Sequence, residues 1–400
     1  MEQATSISQD SSSSLLDFLI NQIRRAPAQR IPFAEFMDAA LYHPQHGYYA
    51  KRREKIGAQG DFVTSPHLSR DFGELIAEQL AQMWHALSCP NPFTLVEMGA
   101  GQGLLAFDVL RYLHDRHPDC FRSLKYCIVE KAAAHRIEQQ HRLQSWLNAG
   151  LRLEWTAIDN IPDASIVGCF FSNELVDAFP VHLVTLSDRE LQEIYVSVEN
   201  NQLVETIGAL STPKLAQYFD LVGIDFSNPA YRSGYRTEVN LTALDWISTI
   251  AQKLDRGYVL TIDYGYLAPR YYNPGRDQGT LQCYYQHSHH NDPFQHVGEQ
   301  DITAHVDFTA LQKQGDRVGL ETLGFVQQAL FLMALGLGDR LGQNVQTEAT
   351  STEDLQNRLR RREALHQLMN PLGLGGFGVL IQGKQLSGAE KNLTGVNQQI

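Results

Sequence analysis

The sequence lacks what several large classes of protein require. Its five cysteines, Cys89, Cys120, Cys127, Cys169 and Cys283, are scattered along 400 residues with no C-x-x-C pair. That spacing argues against a disulfide framework and a zinc site, and it favours a reducing compartment. No apolar run approaches the ~20 residues of a membrane-spanning helix. The opening MEQATSISQDSSSS has no basic segment followed by an apolar one. No signal peptide is therefore expected, and Glu2 and Asp10 speak against an organellar transit peptide. The expected location is cytoplasmic. Basic residues are also in deficit, 33 against 45 acidic, for a net charge of −12. A nucleic-acid binder would normally carry a basic face, so no nucleic-acid partner is expected.

What is present is the composition of a globular protein, 43% hydrophobic and 20% charged. The length suits one large domain with insertions or two domains. LLDFLINQIRR, from Leu15, has helical spacing, and a helix is expected to start near Ser65. Beyond Pro92, short apolar segments alternate with helical patterns. FTLVEM, LKYCIVE, LRLEWTAID, SIVGCFFSNE and GYVLTIDYGY read as strands, which predicts an α/β fold with a mostly parallel sheet covered on both faces. VHLVTLSDRELQEIYVSVENNQLVETIG alternates at period two around Asn200-Asn201 and predicts an antiparallel insertion. Residues 267–315 are long and irregular, as functional segments often are. PLGLGGFGVLIQGK predicts one last strand.

The first strand runs into VEMGAGQG, placing Glu97, Gly99, Gly101 and Gly103 where a helix opens. Glycines let a ligand approach the backbone, and a helix start offers unpaired N–H groups. In the dinucleotide fingerprint G-x-G-x-x-G the third glycine would stand at Leu104, one residue later than here. An acid two residues before the first glycine would repel a pyrophosphate but suits an ammonium or sulfonium. The combination points to S-adenosylmethionine. Glu130, ending the second strand, could accept ribose hydroxyls. Asp159, after the third, could meet the adenine amino group.

The ordered blocks GYY (47–49), IGAQGDFVTSP (56–66), FGELIA (72–77), VEMGAGQG, SNELVDAFPVH, IDYGY, GTLQCY and DITAHVDFTAL resemble the MidA-like family of class I S-adenosylmethionine-dependent methyltransferases. That family includes a mitochondrial complex I assembly factor with protein-arginine methyltransferase activity. The resemblance implies a Rossmann-like, seven-stranded, mostly parallel sheet with an N-terminal helical extension and inserted substrate elements. It divides the chain into a disordered tail (1–13), a helical extension and lid (14–90), a methyltransferase domain (91–385) with insertions at about 181–245 and 267–370, and a flexible tail (386–400). It also implies lid roles for Gly60, Asp61 and Thr64, and methylation of an arginine on a partner such as a complex I-type dehydrogenase subunit. Many relatives carry an acid after TSP, whereas this chain has His67.

An arginine acceptor is a delocalised cation, which carboxylates can hold and orient. Glu174 and Asp177, with Asn173 beside them, follow the fourth strand at the edge where open parallel sheets bind ligands. The alternative is that Ser172 or Asn173 caps a helix and Glu174 complements its dipole. Asp263 and Tyr264 end the fifth strand at the same edge. His305 and Asp307, in TAHVDF, belong either to one face of a strand or to the site. HSHHNDPFQH lacks paired-ligand spacing, so no metal is expected. Competing readings are a dinucleotide-dependent oxidoreductase, a non-catalytic assembly chaperone, and a methyltransferase for a small molecule or lysine.

Overall fold

Seven strands form the central sheet of the computed structural model, which describes residues 14–51, 64–286, 288–346 and 351–397. In chain order they are β1 (Phe93–Met98), β2 (Leu124–Val129), β3 (Arg152–Thr156), β4 (Ile166–Asn173), β5 (Leu254–Asp263), β6 (Glu321–Gln327) and β7 (Gly378–Lys384). Their spatial order is β6-β7-β5-β4-β1-β2-β3. β1 to β5 pair in parallel, while β7 lies antiparallel between β5 and β6. All six residues of β1 are buried, as a central parallel strand with covered faces requires. The order reverses between β1 and β4, so the carboxyl ends of these strands open a crevice.

The five strands read from apolar runs and the terminal β7 lie where the sequence places them. β6 carries no comparable signal. Its sequence ETLGFVQ is exposed at both ends and only half-buried between, and its register slips between Thr322 and Gly324. An edge strand with a bulge has no continuous apolar run to recognise.

The predicted antiparallel insertion is a second sheet. His182–Ser187, Glu190–Glu199 and Gln202–Gly208 pair in succession, and Arg236–Val239 pairs on His182–Ser187. Both hairpin turns take left-handed backbone, at Asp188-Arg189 and at Asn200-Asn201, as two-residue turns matching strand twist do. Arg30–Pro32 adds a strand from the N-terminal segment, so that extension is not purely helical. The helices Leu15–Arg25 and Phe33–Tyr42 bury Leu19, Ile23, Phe33 and Phe36 with Leu183, Ile194 and Val196 of this sheet.

Two expected boundaries need correction. The stretch 267–370 is not one insertion, because it contains β6 and the helix Phe308–Arg317, whose Phe308 and Leu311 lie in the core against β5 and β7. Residues 386–397 are not a loose tail. Leu393 is buried, Gly395 N–H bonds Gln79 Oε1 at 3.1 Å, and Tyr258 Oη bonds the Glu390 carbonyl at 2.7 Å. Apolar burial and satisfied polar groups anchor a segment whose sequence alone reads as polar. The expected disordered tail at 1–13 lies outside the described residues.

Ser65 does begin a helix, Ser65–Leu68, before the chain turns at Ser69 into Arg70–Ala86. The start of that second helix is pinned by Asp71, fully buried, which accepts from Arg340 at 2.9 Å and from Arg361 at 2.8 and 2.6 Å. These bonds hold the Asp71 carboxyl well below the usual carboxylate range against the opposing effect of burial. They tie the segment following Thr64 to the helices Leu337–Gln346 and Thr352–Met369. Asp71→Asn should therefore cost about 3 kcal/mol, the scale for breaking a buried ion pair. The measurement is the urea midpoint at constant slope; an unshifted midpoint would show the pin to be idle.

Candidate active site

Two clefts meet at the carboxyl edge of the sheet. The first, about 960 Å³, lies over β1 and β2 and is lined by Glu97, Gly99, Gly101, Glu130, His135 and Glu174 among others. Gly99, Gly101 and Gly103 all have positive φ, at 71°, 52° and 75°. A side chain there would be strained, and a Cβ on Gly99 would come 2.7 Å from Leu175 Cδ1. The loop thus turns backbone toward the cleft as the helix Leu104–Arg116 opens.

Glu97 is buried at the end of β1, and Tyr126 Oη donates to its Oε2 at 2.7 Å. Burial pushes this carboxyl up to about 7, with the Glu130 charge adding to the effect and the tyrosine opposing it. Glu130 accepts Ala132 N–H at 2.9 Å and Gln139 Nε2 at 3.1 Å. Gln139 also donates to the Gly101 carbonyl at 2.7 Å, so one amide knits the glycine loop to the β2 end. Its sequence position, mid-helix in AAHRIEQQHR, carries no signal of this.

On the opposite wall, Thr64, Pro66 and His67 cross the cleft. His67 takes a 2.6 Å bond with Thr64 Oγ1 and a 3.1 Å bond with Gln102 Oε1 of the glycine loop. His67 therefore latches this strap, residues 64–67, to the loop. Burial lowers its pKa, which suits a neutral ring bridging two polar neighbours. Tyr42 and Tyr49, absent from the expected set, stack at 5.3 Å and close the cleft from the N-terminal segment. Gly60 and Asp61 lie outside the described residues.

The second cleft, about 1140 Å³, is lined by Tyr264, Tyr266, Tyr284, His305, Arg270 and the loop 371–377. Among the described residues, Glu174 is the one lining residue that the two clefts share. Its backbone is left-handed, φ 51°, unusual for a side-chain-bearing residue and typical of strained functional positions. Asn173 Nδ2 and Ser65 N–H donate to its Oε1 at 2.9 and 3.3 Å. Burial raises the Glu174 carboxyl to about 8, helped by the charge of Asp177. Burial likewise raises Asp177 to about 6, against a 2.5 Å bond from Tyr264 Oη to its Oδ2. Asp177 Oδ1, Asn173 Oδ1 and His305 Nδ1 are buried without a hydrogen-bond partner among the described residues. Buried acceptors left open in this way are suited to an incoming donor.

Asp263 sits beneath this group, fully buried. Its Oδ2 accepts the N–H groups of Leu175, Val176 and Asp177 at 3.2, 2.9 and 3.3 Å, and its Oδ1 accepts Tyr264 N–H at 2.9 Å. Burial raises this carboxyl well above its usual range, reinforced by Asp177 and Glu174. Three neighbouring carboxyls cannot all ionise without a compensating cation.

Of the remaining expected residues, some fall elsewhere. Asp159 is exposed, and neither it nor Gly103 lines either cleft; Gly103 packs against Gln139 instead. The chain turns away after Thr156 into the short helix Ile158–Asn160, carrying Asp159 past the cleft. Asp307 is not a lid residue but the N-cap of Phe308–Arg317, accepting Thr309 and Ala310 N–H and bonded by Tyr218 Oη. Its oxygens are committed to the fold. The capping alternative for Ser172 and Asn173 has no helix to serve, since only the short turn Val176–Ala178 follows. No group of three or more metal-ligating side chains is found among the described residues, and no described helix is long and apolar enough to cross a membrane.

Comparison with known proteins agrees with this architecture. Residues 75–326 match the family model Methyltransf_28, described as S-adenosyl-L-methionine-dependent methyltransferase. The protein arginine methyltransferase NDUFAF7 homolog, mitochondrial, of Drosophila melanogaster is 30% identical over 339 residues, 78% of this chain and 73% of that protein. Its Danio rerio relative is 28% identical over 374 residues, 86% and 81% respectively. A crystal structure from Burkholderia thailandensis, bound to S-adenosyl-homocysteine, superimposes with a TM-score of 0.81 at 29% identity, covering 98% of this chain and 97% of that one.

The Asp263 bonds yield a direct test. Asp263→Asn replaces one acceptor oxygen by an amide that cannot receive the loop N–H groups, so it should destabilise the fold by about 2 kcal/mol. Thermal unfolding reads the loss; an unchanged midpoint would mean that residues 174–177 hold themselves.

Proposed function

Since the chain belongs to the Methyltransf_28 family, whose cofactor is S-adenosylmethionine, we propose that it methylates an arginine of a protein. The carrying observation is that Glu174 lines both clefts, which supports a reading in which one carboxylate serves cofactor and acceptor alike. Curated relatives named as protein arginine methyltransferases support the choice of acceptor. A complex I-type dehydrogenase subunit is the partner that the family resemblance implies. Five free cysteines, four of them buried, accord with the cytoplasm as the compartment.

The residues present fit the cofactor. Open backbone at Gly99 and Gly101 admits a ligand against the sheet edge, and Glu97 and Glu130 face the same cleft. Glu97 suits the amino-acid ammonium, and Glu130 the ribose hydroxyls. Thr64 and His67 cover them, excluding water. S-adenosylmethionine supplies, when bound, a methyl group activated by its sulfonium.

Glu174 and Asp177 hold the guanidinium where the two clefts meet. The unpartnered Asp177 Oδ1 takes one of its N–H donors, and the left-handed turn aims Glu174 at the boundary of the clefts. A guanidinium is a poor nucleophile because its electrons are shared over three nitrogens. Carboxylates bonded to it concentrate density on one nitrogen and fix its approach, the contribution that an in-line displacement needs. Glu174 then receives the proton released by the methylated nitrogen and passes it to solvent. Tyr264, bonded to Asp177, holds that second carboxylate in place.

Both carboxyls are raised in the free protein, so each must ionise to accept the cation. For an arginine acceptor, kcat/KM should rise with pH through about 6 to 8 and level off above. Glu174→Gln should cut methyl transfer by about 10²- to 10⁴-fold, with S-adenosylmethionine affinity nearly unchanged. Intact-mass and fragment spectra of methylated acceptor proteins read both effects. Near-normal turnover in this variant would remove Glu174 from the mechanism. A stability shift should accompany the loss. The raised carboxyl binds its proton more tightly folded than unfolded, so wild type loses stability as pH climbs from about 4.5 to about 8. Glu174→Gln escapes that loss and should melt higher than wild type above pH about 8.

Glu97 should govern cofactor binding in a separable way. Its carboxyl must be ionised to meet a cation, so affinity for S-adenosylmethionine should fall as pH drops below about 7. Glu97→Gln should abolish that dependence and weaken binding at least tenfold, about 1.4 kcal/mol, by calorimetry. Retained affinity with a retained pH profile would point to another group.

A further inference from the structure

The acceptor cleft carries an unexpected second charge. Arg270 lines it together with Glu174, and its guanidinium carbon stands 4.4 Å from the centre of the Tyr266 ring. The Arg276 guanidinium lies 4.6 Å from the same ring, which also stacks on His305 at 5.2 Å. Arg276 is fixed by bonds to the carbonyls of Arg270 and Tyr271, at 2.8 and 3.0 Å. Neither arginine forms an ion pair with a carboxylate among the described residues, although the chain is acidic overall, at −12. The carboxylate that lines this cleft, among the described residues, is Glu174, while Asp177 lines the first cleft. A cleft built only to admit a cation would gain nothing from the Arg270 guanidinium on its wall with that of Arg276 behind the same ring, since both would repel the incoming group.

Building on the arginine-methylation reading, we propose that Arg270 and Arg276 form an anion subsite. It would engage a carboxylate that the acceptor protein carries beside the methylated residue, so that Arg270 sets sequence specificity. The polarity of the cleft then serves recognition: the target cation goes to Glu174, and an acidic neighbour goes to the arginine pair. The Tyr266 and His305 rings hold the pair by cation–π and stacking contact, limiting the rotamer freedom lost on binding. Burial, with the Arg276 charge adding to it, also keeps His305 unprotonated, lowering it to about 4, so the ring adds no further repulsion.

The test uses full-length protein loaded with S-adenosylhomocysteine and short peptides with one central arginine in a neutral background. A single glutamate, or glutamine as control, is walked through the flanking positions, and peptide Kd is measured by calorimetry. One or two glutamate positions should bind several-fold to about tenfold more tightly than their glutamine controls, the scale of a charge-assisted bond at a partly exposed site. The gain should vanish in Arg270→Gln and turn into a preference for a lysine flank in Arg270→Glu, with S-adenosylhomocysteine affinity unchanged in both. A glutamate preference that survives both variants, or none at any position, overturns the subsite. Citrulline in place of the central arginine separates the two readings. If the glutamate gain persists but citrulline binds equally well, the subsite stands and arginine recognition falls.

Discussion

One buried carboxylate organises the site. Asp263 ends β5 and accepts N–H groups from Leu175, Val176 and Asp177, which follow β4. The bonds replace hydration that these N–H groups lose on burial, and an uncompensated loss would be costly for each. Because the acceptor belongs to the neighbouring strand, the loop after β4 can curl only one way. That curl forces Glu174 into left-handed backbone and turns Asp177 toward Tyr264. The parallel pairing of Ile262 with Asn173 fixes the height at which the two strand ends meet.

The same arrangement shapes the electrostatics. Asp263, Asp177 and Glu174 are crowded in a region of poor hydration; burial raises all three, Asp177 adds to the rise at Glu174, and both add to the rise at Asp263. The cluster is short of positive charge, which an arginine acceptor would supply. Its backbone strain and unmet acceptors are what a sheet edge tolerates when a ligand is to complete it. Around it the supporting contacts come from distant parts of the chain. Gln139 joins the glycine loop to Glu130, His67 joins the strap to Gln102, and Asp71 anchors the helix after the strap.

Legibility from the sequence varied with the range of the interaction concerned. The glycine loop and Glu97 could be read because a strand, a turn and a helix start follow one another in a single short segment. Glu174 and Asp177 could be read because an apolar run ends in acids. Asp263 was recognised as lying at the ligand edge, but its task as backbone acceptor was not. That task depends on adjacency of strands whose bonded residues stand 86 to 88 positions apart in the chain. Asp307 and Asp159 went astray for the related reason that an acid near a strand end serves equally well as a cap or a surface residue. Gln139 and Tyr42 gave no signal at all, and Tyr49 entered only as the end of the GYY block, with no role attached. Amides and tyrosines occur everywhere, and only packing brings these to the cleft.

The sequence by itself determined the α/β class, the chain order of its apolar strands, the hairpin turn at Asn200-Asn201 and the glycine-acid signature after the first strand. These are local properties, set by periodicity, backbone preference and the chemistry of neighbouring residues. Only the tertiary structure decided that β6 completes the sheet, that the C-terminal segment packs back onto the helix Arg70–Ala86, and that two clefts share Glu174. It alone set Arg270 and Arg276 against one tyrosine ring, in the cleft that Glu174 also lines. Those outcomes depend on which surfaces are buried together and which polar groups then need partners. Burial is a property of the whole chain, and no short window of residues specifies it.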